Sequence, residues 1–418
     1  HHIIFDGWSE LLLANELRVG LDRYSSRDRR PGELLPIQYA DFASWQRNHY
    51  DDESLASSLD FWRAKLSPLP DDLKLPADGT EEWRRETRRV VFDPALSQRL
   101  DAFARSMGAT TFMAIAAAVE ILLARVANQP DFLIGVSTAG RGMPGTERLI
   151  GCFINTFALR VHVPADATFR QLVGRSRRDV LEALANEHLP YARVVDEFRP
   201  WSSGDLRPLF NVQLQMRDFP VYPDAGSRFG VEPQPPGGGR SEMLSIRARH
   251  HDTSTEVAFG FNVGLFTSAQ VARWVEDFER IVVELVHHPD QLVWEVPMHA
   301  DQPGADRPKK PEPRDRIEDA PAASVGGDQM NGAAAGRVAS IWADVLGVDN
   351  VPPGATFFEL GGHSLLAIRL LNRIKDTLSV DLPLTTLFTH ASIEEFTSRV
   401  VAEMRDVEPP SEVSPPAP

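Results

Sequence analysis

Phe357-Phe358-Glu359-Leu360-Gly361-Gly362-His363-Ser364-Leu365-Leu366 sets a serine behind two glycines and a histidine, at the head of an apolar periodicity. Leu366, Leu370, Leu371, Ile374 and Leu378 recur at helical spacing, so Ser364 stands at a predicted helix N-terminus. Gly361 and Gly362 permit the positive φ of a tight turn. The free N–H groups and dipole at such an end favour a phosphate. These residues alone leave two readings: an ordinary N-cap serine, or a hydroxyl presented for modification.

Working outward, Val338, Ile341, Trp342, Val345 and Leu346 predict one face of an earlier helix that ends at Gly347. Residues 383–388 predict a short third helix, and Ile393, Phe396 and Val400 mark a last one. Residues 300–332 are rich in Pro, Gly, Asp and Ala and read as a linker stiffened by proline. The tail, 406–418, reads as disordered by composition.

The whole chain has 418 residues, enough for two or three domains. Apolar residues make up 42% and charged residues 25%, an ordinary globular profile. Lys and Arg number 44 against 59 acidic residues, a net charge of −15 that argues against a nucleic-acid partner. No apolar run is long enough to span a membrane, and the first residues lack the pattern of a signal peptide. The single Cys152 lies in an apolar run, is expected to be buried and inert, and fits a reducing cytoplasm.

The segment Leu360-Gly361-Gly362-His363-Ser364-Leu365 resembles the attachment site of peptidyl carrier proteins, and the likeness covers 336–404. It implies that Ser364 carries a covalent 4′-phosphopantetheine arm, with Gly361, Gly362 and His363 forming the loop. The other end of the chain carries a second resemblance. His1-His2-Ile3-Ile4-Phe5-Asp6-Gly7-Trp8-Ser9 resembles the HHxxxDG segment of condensation domains of nonribosomal peptide synthetases. The paired histidines alone read as the stub of a tag, and the residues that follow them argue otherwise. Further segments resemble that family in its order: Gln38 to Trp45, Ile150 to Thr156, His188 to Tyr191 and Pro208 to Val212.

Periodicity predicts helices over 10–21, 39–50, 96–105, 110–126, 169–185 and 268–287, the fourth strongly apolar and buried. It predicts strands over 132–136, 153–163, 210–216, 245–249 and 256–265, the last two joined as a hairpin through His250-His251-Asp252-Thr253. Strands alternating with helices give an α/β layered fold. With the resemblances, the expected fold class is α/β: a chloramphenicol acetyltransferase-like condensation fold, mainly its C-terminal lobe, plus a small all-α four-helix carrier bundle. The expected domains are a remnant N-terminal lobe over 1–62, the C-terminal lobe over 63–299, the linker, and the carrier over 333–405. The family's N-terminal lobe normally precedes the paired histidines. A fragment or a wrongly assigned start is expected, inactive and poorly folded at its beginning.

Condensation joins an amine to a carrier-bound thioester. An α-amine has a pKa near 8, so about a tenth is neutral at pH 7 and deprotonation costs only about 1.4 kcal/mol. Holding both reactants in register contributes roughly 7–11 kcal/mol, so positioning should dominate. By the resemblance His2 is the catalytic candidate, as a base or as a group that holds the amine or stabilises the tetrahedral intermediate. Asp6 is expected to fix the loop through a buried ion pair with an arginine earlier in the chain, as in the family. His1 and Gly7 are expected to be structural. Asn211 is a candidate tunnel residue. Arg141, between two glycines, is expected to be structural, Trp8 and Trp45 core, and His250-His251-Asp252 a hairpin tip with no metal.

The implied partners are an upstream donor carrier protein, a phosphopantetheinyl transferase and, because only a linker separates the two regions, an adenylation enzyme acting in trans, unless the pair stands at a pathway's edge. Nucleic acid and membrane are not expected. The competing readings are a catalytically inactive condensation-like docking platform with a functional carrier, and an ester-forming domain.

Overall fold

The computed structural model describes residues 2–26, 34–50, 55–79, 83–141, 143, 145–200, 208–216, 243–250, 253–299, 332–346, 348, 350–357, 360, 364–378, 380, 382, 386–389 and 392–406. Contacts divide the chain into two units, His1–Glu312 and Pro313–Pro418.

The first unit opens with helices α1 (Gly7–Ser25), α2 (Tyr39–His49) and α3 (Ala56–Leu66). There follow β1 (Arg85–Phe92), α4 (Pro94–Ser106), α5 (Thr111–Ala127), β2 (Asp131–Thr138), β3 (Asn155–His162), α6 (Phe169–Ala185) and α7 (Tyr191–Phe198). The remaining elements are β4 (Val212–Met216), β5 (Leu244–His250), β6 (Thr255–Asn262) and α8 (Ser268–His287). Among the described residues the strands form one six-stranded sheet in the order β1-β6-β5-β4-β2-β3. The β2–β4 and β4–β5 pairs are parallel and the rest antiparallel.

Register separates the two faces of the sheet. One cross-strand row runs Phe259, Ile246, Leu214, Val136 and Phe157, and all five are buried. On that face Phe278 of α8 meets Phe259 edge-on at 5.4 Å and stacks with Phe92 at 6.1 Å. Helix α5 packs against α6 and α8 and is buried from Met113 to Arg125, as a helix apolar all round must be. Thr110 caps its start by accepting from Met113 N, and Asn128 ends it in the left-handed region at φ 48°. The adjacent row on the other face runs Ala258, Arg247, Gln215, Ser137 and Thr156, and its last four members are half-buried.

The predicted helices and strands are present with ends moved by a few residues. Three elements had no counterpart: α3, α7 and β1. β1 is an edge strand carrying Arg85, Arg88 and Arg89, with only Val90 and Phe92 buried, so its apolar signal is short. Helix α3 runs through the 62/63 boundary. Trp8 is core, but Trp45 and Cys152 are half-buried, not buried as expected. Burial still raises the Cys152 thiol pKa, with the Asp6 carboxylate adding to the effect. Leu13, Leu17, Leu21 and Tyr24 leave an apolar stripe exposed along α1. No single described helix is long and apolar enough to cross a membrane.

The second unit contains α9 (Gly332–Leu346), α10 (Ser364–Leu378), the one-turn α11 (Thr386–Thr389) and α12 (Ile393–Asp406). Trp342 is its centre, with Phe357 at 5.4 Å and Phe396 at 5.6 Å. Ala367, Leu370, Leu371, Ile374 and Leu378 bury one face of α10. The linker at 300–331, and the tail beyond 406, lie outside the described residues.

Candidate active site

Asp6 is the N-cap of α1 in extended conformation, and its Oδ1 accepts from Ser9 N and Ser9 Oγ, each at 2.8 Å. Its Oδ2 accepts from Phe153 N at 2.9 Å. Arg141 donates to both carboxylate oxygens, at 3.1 and 3.3 Å. Both side chains of the pair are buried, at 4% and 2% exposure. This corrects the expected partner: the arginine comes after Asp6 in the chain, not before it. The reason lies in the turn after β2. Gly140 adopts φ +60°, and a Cβ there would collide with Phe153 O, so the chain folds tightly back and aims Arg141 at Asp6.

The guanidinium makes further bonds through its two terminal nitrogens, while its buried Nε has no partner among the described residues. It donates to Thr146 O at 2.5 Å, Leu149 O at 2.8 Å and Ser9 Oγ at 3.1 Å, and lies over the Phe153 ring at 4.1 Å and the Trp8 ring at 5.4 Å. Burial pulls the Arg141 pKa down while Asp6 pushes it back up. Ser9 Oγ also lies 2.8 Å from Gly151 O and accepts from Gly151 N at 3.0 Å. Its single hydrogen serves one of two acceptors, and the carboxylate is the stronger.

The segments that share the family's order meet in space. Tyr39 Oη donates to Cys152 O at 2.9 Å, and its ring lies so close over Gly151 that a Cβ there would collide with it. Asn155 Nδ2 donates to Glu187 O at 2.6 Å and Leu189 O at 3.0 Å, and Asn155 Oδ1 accepts from Tyr191 N at 3.3 Å. Tyr191 Oη accepts from Leu209 N at 3.0 Å. His188 Nε2 lies 2.9 Å from Ser58 Oγ, and burial lowers the His188 pKa.

His2 is exposed on the turn before this anchor, with Ile3 and Ile4 also facing outward. Its Nδ1 lies 3.1 Å from Phe5 O. A carbonyl oxygen only accepts, so Nδ1 donates in this contact and Nε2 stays outside it. Gly7 is the first residue of α1. Asn211 stands just before β4, where its Nδ2 donates to Leu73 O at 2.8 Å and meets Met243 Sδ at 3.1 Å. His1, Gly361, Gly362, His363, His251 and Asp252 lie outside the described residues. Ser9 and Arg141 are the anchoring residues that motif reading underrated. Ser9 at the third position after an Asp cap was a local signal, whereas Arg141 had only its flanking glycines.

The sequence pattern of the condensation domain matches residues 1–304, and that of the phosphopantetheine attachment site matches 336–400. The chain belongs to the condensation-domain family. One component of the linear gramicidin synthase of Brevibacillus parabrevis is 34% identical to this condensation–carrier chain over 310 residues, 71% of it and 6% of that protein. Phosphinothricin tripeptide synthetase PhsC of Streptomyces viridochromogenes is 38% identical over 224 residues, 52% of this chain and 20% of that one. The condensation–carrier chain thus spans a small part of the synthetases it matches. The X-domain from teicoplanin biosynthesis shares its fold with a TM-score of 0.60 at 22% identity, over 71% of this chain and 70% of that one. The first condensation domain of the calcium-dependent antibiotic synthetase, solved with substrate analogue 2a, has a TM-score of 0.60 at 18% identity, over 71% and 68%. These neighbours show the chloramphenicol acetyltransferase-like fold expected from the sequence.

The carrier domain is the attachment point for 4′-phosphopantetheine. The backbone at Ser364 fits that group: α10 begins there, so its first-turn amides have no helical acceptor of their own and can face a phosphodiester.

Proposed function

We propose that this condensation–carrier chain is an acyltransferase that forms an amide bond, and that Ser364 carries the arm. The observation that supports catalysis is the locked Asp6–Arg141 pair. It fixes the loop bearing His2, which leaves Nε2 of His2 as the free base. Bound at Ser364, the arm would supply the thiol that tethers the amine-bearing acceptor, while the donor carrier presents the acyl group as its own thioester. Nε2 orients the acceptor amine and takes its proton as nitrogen attacks the donor's thioester carbonyl. The new C–N bond forms, the C–S bond breaks, and the proton passes to the departing thiolate. Nothing in that sequence requires a strong base, because the amine is already about a tenth neutral at pH 7. Holding two reactants together supplies most of the rate.

Carrier proteins and a phosphopantetheinyl transferase are the partners the two domains require. An upstream donor carrier delivers the acyl group, and a separate adenylation enzyme loads the carrier in trans. The proposed division is a condensation region over 1–299, a linker over 300–332 and a carrier over 333–405. A docking-platform reading is the rival: the teicoplanin X-domain has been solved in complex with OxyB. His2, Asp6 and Gly7 favour the enzyme. Incubation with CoA and a phosphopantetheinyl transferase should add one arm by intact mass, and Ser364→Ala should abolish the addition. With donor and acceptor supplied on carriers, amide formation should depend on His2. Turnover unaffected by His2→Ala would remove the role given to His2, and no amide formation by the parent chain would leave the platform reading standing.

A further inference from the structure

The half-buried face of the sheet carries a hydrogen-bond chain that the proposed chemistry does not use. Gln215 Nε2 donates to Gln213 Oε1 at 3.1 Å, Gln213 Nε2 donates to Ser137 Oγ at 2.7 Å, and Ser137 Oγ lies 3.5 Å from Thr156 Oγ1. These side chains project from three strands, and all are half-buried. Val212 and Leu214, alternating with them along β4, are fully buried on the helix side. Packing therefore accounts for the apolar half of β4 and not for its glutamines.

Each glutamine has one carbonyl and two N–H bonds. The chain consumes one N–H of each glutamine and the carbonyl of Gln213. Among the described residues, the Gln215 carbonyl and the second N–H of each amide are left over. An acceptor with donors at a fixed spacing is the complement of a secondary amide, which offers one N–H and one C=O. The relay through Ser137 and Thr156 holds both glutamines in one orientation, so little rotamer freedom is lost when a ligand binds.

The position of this strip is set by the same strand ends that build the anchor. Ser137 is at the end of β2, four residues before Arg141, and Thr156 is at the start of β3, three residues after Phe153. Arg141 and Phe153 hold Asp6. We infer that Gln213 and Gln215 are positioning residues that bind a secondary amide of the extended thioester substrate and set its distance from the His2 loop. This rests on the amide-forming reading above. The amide has two sources, the pantetheine arm itself and a peptidyl cargo, and one strip could serve either.

The test uses the full chain with Ser364→Ala, so that it bears no arm, and reads binding by calorimetry. The probes are butyryl-pantetheine, an alanyl-alanyl thioester of mercaptoethanol, and the analogue of each with its amides replaced by esters. Butyryl-pantetheine should bind about tenfold more tightly than its ester analogue, the value of one or two hydrogen bonds. Gln213→Met and Gln215→Met should each erase that gap and leave the ester analogue unchanged. If the gap is found only with the dipeptide probe and is lost in the same variants, the strip reads cargo and the inference stands. Equal affinities for amide and ester forms, no binding of any probe, or an equal loss of both forms in a variant with an unchanged melting temperature would overturn it. Gln215→Met is the safer variant, because Gln215 heads the relay and supports no further member. Should the chain form no amide at all, the catalytic reading falls while these binding results still decide the strip.

Discussion

His2 and Asp6 are four residues apart and carry opposite burdens. His2 is exposed and its ring meets Phe5 O, whereas Asp6 is buried under four donors, three of them from elsewhere than its own helix backbone. Asp6→Ala would leave the Arg141 charge buried and unpaired, at a cost of about 3–5 kcal/mol. Denaturant unfolding should register that loss, while His2→Ala should leave stability within about 0.5 kcal/mol of the parent. Activity should divide along a different line. If Nε2 takes the amine's proton, His2→Ala should slow turnover about tenfold at pH 7, and the deficit should vanish toward pH 9, where the amine is already neutral. A deficit that persists unchanged at pH 9 would show that the imidazole stabilises the tetrahedral intermediate and does not remove the proton.

Among the elements, the packing of α5 on α6 sets a pH limit. Glu120 of α5 is 4% exposed. Burial, with the Asp179 carboxylate of α6 adding to it, pushes its pKa up to about 8. The folded state therefore prefers neutral Glu120. Its contribution is complete below the ordinary glutamate range near 4.5 and is lost as pH rises through about 8. At pH 7 the loss is roughly 3 kcal/mol, from about 1.4 kcal/mol for each unit between the ordinary value and that pH. Glu120→Gln should thus raise the melting temperature at pH 7 to 8 and change it little at pH 4.5; a gain independent of pH would count against ionisation as the cause. Helix α5 was legible in the sequence because its apolar residues outnumber every alternative, and α6 and α8 because their apolar faces run for several turns. β1 was not, since an edge strand with Arg85, Arg88 and Arg89 buries too little to show its period. The Asp6–Arg141 pair was half legible. A capping aspartate announces itself locally, but its partner lies 135 residues away, across a fold that local spacing does not encode. The glutamine relay was visible only as part of the strand predicted over 210–216, and its partner Ser137 emerges from the parallel register of β2 with β4.

At the level of the whole molecule, the two units have separate cores of very different size. The first is built on a six-stranded sheet with long helices across its apolar face. The second rests on Trp342, Phe357, Phe396 and the inner face of α10. A domain of about seventy residues rarely holds more than roughly 3–5 kcal/mol from such a core. Phe396→Ala removes a fully buried ring, and that change alone costs about 3–5 kcal/mol. The loss equals the stability available, so the carrier should be largely unfolded at room temperature. The first unit keeps every one of its own contacts. Calorimetry of the parent should show two transitions, and Phe396→Ala should delete the weaker one without moving the other. Transfer of the arm from CoA should fail in the same variant although Ser364 is untouched, because an unfolded carrier presents no helix N-terminus to the phosphodiester. A single cooperative transition that shifts as a whole would mean that the two cores share stability, and the carrier would then have to be treated as part of the condensation fold.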